Sequence, residues 1–94
     1  MMKERLIALV NATTQTTSIH KEFEELTGLE RKKVKNLMAG QQRFNEEHIK
    51  VITDAFPQFK MWFVFGEIAP EIGQVSPDLE KVSDDYGKTG TDTQ

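Results

Sequence analysis

Two glycines, Gly28 and Gly40, bracket the stretch that most restricts how this chain can fold. Upstream of Gly28, "IHKEFEELT" carries Ile19, Phe23 and Leu26 at helical spacing. Between the glycines, "ERKKVKNLMA" carries Val34, Leu37 and Met38 at i, i+3, i+4. Glycine stops a helix well because it takes positive φ without the Cβ penalty. Leu29, with Glu30 as either the last linker residue or the first of the next helix, is all that separates the two patterns. Two short helices joined so tightly must turn onto each other, since each needs somewhere to bury its apolar stripe.

The flanking sequence extends this into an all-α reading with five short helices. Leu6, Ile7, Leu9 and Val10 predict a first helix over about Lys3 to Asn11. "NATTQTTS" is a turn, with Thr17 or Ser18 as the N-cap of the second helix. Asn45 is the expected cap of a fourth helix, with Glu46 and Glu47 well placed in its first turn. Its inner face reads Ile49, Ile52, Ala55 and Phe56, and Pro57 ends it. "QFKMWFVF" predicts a fifth helix that stops at Gly66. Phe59, Trp62, Phe63 and Phe65 cannot all face one way, so at least one is expected outside or at a subunit contact. Ile68, Ile72 and Val75 then follow in a segment expected to pack in extended form.

With 94 residues the chain reads as one domain, residues 1–76, followed by an acidic tail, residues 77–94, expected to be disordered from about Ser83. No cysteine is present, which excludes a disulfide framework and thiolate chemistry and agrees with a reducing cytoplasm. No apolar run approaches the roughly 18 residues of a membrane span. "MMKERLIALVNATTQTT" reads as a helix of the fold and not as a signal peptide.

The net charge of -3 conceals a division. Residues 1–66 hold ten Lys and Arg against eight Asp and Glu, whereas residues 67–94 hold two against seven. Within the body, "GLERKKVKNLMAGQQR" concentrates five cations and a single acid. If Val34, Leu37 and Met38 face inward, Arg31, Lys32, Lys35 and Asn36 share the outer side, with Lys33 toward one flank. These residue types suit a DNA groove: Arg can bond guanine bidentately, Asn can bond adenine, and Lys reaches guanine or phosphate. Two helices joined by a glycine-cornered turn, the second presenting such a face, describe a helix-turn-helix over about residues 18–39, with the segment 30–39 for the major groove.

From about Ser18 to Glu67 the chain resembles the Cro- and repressor-type (Xre-like) helix-turn-helix domains of phages and prophages. "SIHKEFEELTGLERKKVKNLMAGQQRF" and "NEEHIKVITDAFP" carry the likeness, and "QFKMWFVFGE" is similar to the last helix of a small group of prophage-borne regulators. The resemblance implies a lambda-repressor-like domain with base contacts from Arg31, Lys32, Lys35 and Asn36. It implies backbone contacts from Ser18 and His20 at the start of the second helix, from Lys33, and from Gln41, Gln42 and Arg43 on the following loop. One position departs from the pattern: Glu24 stands where a small residue, usually alanine, is expected at the crossing of the two helices. A carboxylate cannot be buried there unpaired. Either the helices cross more widely, or Glu24 escapes to the edge and pairs with a lysine of the next helix.

The function expected is therefore a cytoplasmic DNA-binding transcriptional regulator acting as a homodimer on a near-palindromic double-stranded operator. Its dimer interface is expected at Trp62, Phe63, Phe65, Ile68, Ile72 and Val75. A protein-binding helix-turn-helix module, antirepressor- or antitoxin-like and working through a regulatory protein partner, is the alternative. No cofactor, metal or membrane partner is expected. His20 and His48 lack an i, i+4 partner, and the adjacent pairs Glu24–Glu25 and Asp84–Asp85 have no nucleophile beside them, so no enzyme is expected.

Overall fold

The computed structural model describes residues 2–80. These residues are mainly helical, and the sole sheet-like feature among them is an isolated antiparallel bridge between Ala69 and Gln74. Five α-helices follow in order within residues 2–76: α1 Met2–Thr13, α2 Ile19–Thr27, α3 Arg31–Met38, α4 Glu46–Ala55 and α5 Lys60–Phe65. Short 3-10 turns lie at Pro57–Phe59 and Pro70–Ile72. No helix among the described residues is long and apolar enough to cross a membrane.

α1 packs against α2, α3 and α5, so Leu6, Leu9 and Val10 sit at the centre of the core with no exposed surface. Around them lie Phe23, Leu29, Val34, Leu37, Ile52, Phe59 and Phe63. α1 runs two residues past the expected Asn11. Its end is stabilised by Thr13 and Thr14, whose hydroxyls donate to the carbonyls of Leu9 and Val10 at 2.8 and 2.6 Å.

The start of α2 is held by a different group from the one expected. Ser18 occupies the N-cap position, but its side chain makes no capping bond. Glu22, in the first turn, reaches back instead and accepts hydrogen bonds from the Gln15 and Thr16 amides and the Thr16 hydroxyl, at 3.0 to 3.1 Å. The Gln15 amide and the Thr16 donors hold the Glu22 carboxyl below its ordinary range.

Leu26 is not the inward residue the spacing suggests, since it is 46% exposed. Phe23 is the fully buried residue of α2, with Ile19 and Thr27 half-buried, while Leu26 in its last turn stays exposed. Thr27 closes the turn by donating to Phe23 O at 2.8 Å and accepting from the Leu29 amide at 3.1 Å.

α4 starts as expected, on Asn45. Its Oδ1 accepts from the His48 amide at 2.8 Å, and His48 Nδ1 accepts from the Asn45 amide at 3.3 Å. His48 is thus buried as the second half of a capping box, where Glu or Gln is more usual. His48, Ile52 and Thr53 take the fully buried positions of α4, while Ile49, Ala55 and Phe56 are only half-buried. Phe56 still contributes, with ring centroids 6.0 Å from Phe23 and 6.1 Å from Phe59.

The expected fifth helix divides into the Pro57–Phe59 turn and α5. Arg5 of α1 donates from Nε to Phe63 O at 2.8 Å, which places its positive charge on the carbonyl end of α5. Residues after Gly66 form a compact loop, not an extended segment. Ala69 and Gln74 exchange backbone hydrogen bonds, and the Gln74 side chain accepts from the Met61 amide and donates to Pro57 O, both at 2.9 Å. Residues 77–80, placed in the acidic tail by composition, are helical: Ser76 Oγ accepts from the Leu79 amide at 3.1 Å. Pro77 fits the first position of such a turn, where no N–H is needed. The remaining tail, residues 81–94, and the disorder expected from Ser83 lie outside the described residues.

Candidate nucleic-acid interface

α3 is positioned by a turn at each end. Gly28 adopts φ of 83° and donates its amide to Glu24 O at 2.7 Å, closing α2. A Cβ there would meet nothing within 4 Å, so the left-handed backbone alone requires glycine. Leu29, 5% exposed, then anchors the turn in the core. At the other end Gln41 donates to Asn36 O at 2.9 Å and Gly40 to Leu37 O at 3.2 Å. That pair of bonds, with Gly40 at φ of 75°, is a Schellman ending. The helix is one residue shorter at each end than the expected 30–39, with Glu30 and Ala39 as its caps.

Val34 and Leu37 are fully buried, and Met38 is half-buried beside them. At ~100° per residue, the direction opposite Val34 and Leu37 falls among Lys32, Lys35 and Asn36. Lys32 and Lys35 are exposed and Asn36 is half-buried. Arg31 and Lys33 are exposed on the two flanks of that face. Ser18 is exposed before α2, and His20 is half-buried in its first turn. On the loop after α3, Gln41 and Arg43 are exposed and Gln42 is half-buried.

Glu24 resolves its conflict by pairing. It is 28% exposed, and its Oε1 accepts from Arg31 Nε at 2.7 Å. The partner is the first residue of α3 and an arginine, not a lysine. The basic face is consequently not free of acids, because a carboxylate adjoins one of its cations.

Lys3 joins this region without any signal in the local sequence. A Cβ built on Gly40 would lie 3.3 Å from Lys3 Nζ, so the ammonium of α1 sits over the C-terminal turn of α3. A cation there complements the helix dipole and adds positive charge beside the Gln41–Arg43 loop. Only the packing of α1 on α3 brings the two together.

The expected dimer residues separate into two groups. Phe63 is 1% exposed and belongs to the core, with its ring 6.0 Å from Phe44, so it has no surface to offer a partner. Trp62 and Val75 are half-buried against the same core. Phe65, Ile68 and Ile72 remain 69%, 45% and 70% exposed. Among the described residues, no group of three or more His, Asp or Glu side chains could hold a metal ion.

The chain matches no known family model, and a search of curated proteins finds no significant relative.

Proposed function

We propose that this chain is a sequence-specific DNA-binding regulator built on a lambda-repressor-like helix-turn-helix of the Cro and repressor type, with α2 and α3 as its two helices. One observation carries the reading: α3 buries Val34 and Leu37 and turns Lys32, Lys35 and Asn36 the opposite way, flanked by Arg31 and Lys33. A helix held so rigidly from behind can enter a major groove as a unit. Lys32, Lys35, Asn36 and Arg31 then meet base edges, while Ser18, His20, Lys33, Gln41, Gln42, Arg43 and Lys3 supply backbone contacts.

The protein acts in the cytoplasm as a homodimer, since a single such helix reads too few base pairs for useful discrimination. Phe65, Ile68 and Ile72 are the apolar surface for self-association. The two copies of α3 would then address half-sites about 34–36 Å apart. If the dimer neutralises about eight phosphates, log K against log salt has a slope near -7. Selection of binding sites from a random duplex library, followed by a salt titration on the winner, tests the proposal. Failure to enrich any sequence, or affinity indifferent to salt, overturns it.

A second reading is a protein-binding module acting through a regulatory partner. The exposure of Phe65, Ile68 and Ile72 favours it, because an apolar patch takes a foreign protein as readily as a second copy. Light scattering separates the two: a species of twice 10.8 kDa supports self-association, and a lone monomer supports the foreign partner.

A further inference from the structure

We infer that Glu24 is a positioning residue for base recognition: it fixes the Arg31 guanidinium so that Arg31 reads a base and does not serve as a generic phosphate cation. The inference rests on the DNA-binding reading above. Glu24 Oε1 takes the Nε proton of Arg31 at 2.7 Å, and among the described residues neither Nη atom of Arg31 has a hydrogen-bond partner. What remains is the end-on fork of two Nη groups, the geometry that pairs with the O6 and N7 acceptors of a guanine.

Three physical arguments separate this role from an ordinary surface ion pair. First, stability does not account for it: Arg31 is 56% exposed, and pairs this open contribute little to folding. Second, the pair spans two elements. Glu24 lies in α2 and Arg31 is the first residue of α3, so the long arginine is tied to the framework at the end of the helix that a groove contact uses. A tethered arginine has already lost much of the rotamer freedom that base contact would otherwise remove. Third, the carboxylate compensates the arginine charge. Arg31 then attracts phosphate less than Lys32, Lys33 or Lys35 does, and its remaining donors favour a partner chosen by geometry.

The occupant of that fork is a guanine edge near the end of each half-site. The test is site selection with the full-length wild type and with Glu24→Gln, Glu24→Ala, Arg31→Ala and the Glu24→Ala/Arg31→Ala double variant. Alanine at position 24 suits an α-helix, and circular dichroism checks that each variant remains folded.

Wild type is expected to show one strongly preferred guanine per half-site that Arg31→Ala no longer prefers, a loss of about tenfold or more. Glu24→Ala should weaken the same preference, and the double variant should resemble Arg31→Ala alone, because the carboxylate acts through the arginine. Glu24→Gln keeps an acceptor but removes the charge. It should retain most of the guanine preference and steepen the salt slope by up to about 0.9 per subunit, as one more cation in each becomes available to phosphate.

Unchanged guanine preference in Glu24→Ala overturns the inference while leaving DNA binding intact. So does a double variant whose base preferences or affinity differ from those of Arg31→Ala alone. A wild type that selects no sequence overturns the DNA-binding reading, and the inference with it.

Discussion

Two surfaces of this small molecule meet solvent in opposite ways. On α3, two buried residues, Val34 and Leu37, hold the helix while its cations stand in water. At the end of α5 and in the loop after it, Phe65 and Ile72 expose more than two thirds of their surface, although each lies beside a segment pinned to the core. Hydrated charges cost little in place, whereas exposed apolar area carries about 25 cal/mol per Å2 that cover by another chain would recover. The first surface suits a polyanion and the second an apolar partner. Salt distinguishes them: it should weaken association at α3 steeply and leave association at Phe65 and Ile72 nearly unchanged.

The sharpest way to break this contrast lies within α5. Phe63 and Phe65 are two residues apart, yet one is core and the other open to solvent. Phe63→Ala should destabilise the fold by about 3–5 kcal/mol in urea unfolding. Phe65→Ala should change unfolding by no more than about 0.5 kcal/mol and instead reduce the dimer fraction in light scattering. Equal effects on stability would erase the distinction.

On α3 the contrast is between readers and anchors. Asn36→Ala should lose about 1–3 kcal/mol of discrimination at one base pair. Lys33→Ala should weaken all sequences alike and flatten the salt slope by about 0.9 per subunit. Competition binding with matched and mismatched duplexes measures both.

A smaller effect tests whether the cap on α4 acts only through the fold. Asn45→Ala should lower stability by about 0.5–2 kcal/mol, and the dimer fraction of the folded protein should not move. The smallest effect is acid-dependent. Glu22 has its folded pKa depressed from 4.5 by the Gln15 and Thr16 donors, so the unfolded chain binds the proton first. Its contribution is present above about pH 4.5 and is lost as pH falls through the lower folded value. Thermal melts of Glu22→Gln against wild type from pH 6 to pH 3 should converge at the acid end.

Much of the architecture was legible in the chain because it follows local rules. α2 ends at Gly28 and α3 at Gly40 because positive φ favours glycine, and α4 begins at Asn45 because its amide side chain finds an orphan N–H nearby. The outward Lys32, Lys35 and Asn36 were equally legible, since helical periodicity sets them opposite Val34 and Leu37. Other contacts were not legible, either because a side chain reached across a loop or the fold or because it filled an unusual role. Glu22 displaced Ser18 as the group that holds the start of α2, and Arg5 held the end of α5 from the other side of the fold. His48 filled a capping role that the usual Glu or Gln pattern does not flag.

Spacing along the chain was sufficient for the helices, their glycine ends and the charged face of α3, because these depend on backbone geometry a few residues wide. Which aromatic was buried, how Glu24 was satisfied and where Lys3 came to rest depended on contacts between helices. Phe63 and Phe65 have the same side chain, and at ~100° per residue they point to opposite sides of the helix, so spacing says that only one is core but not which. Only the packing of α5 against α1 and α4 makes one of them core and the other surface.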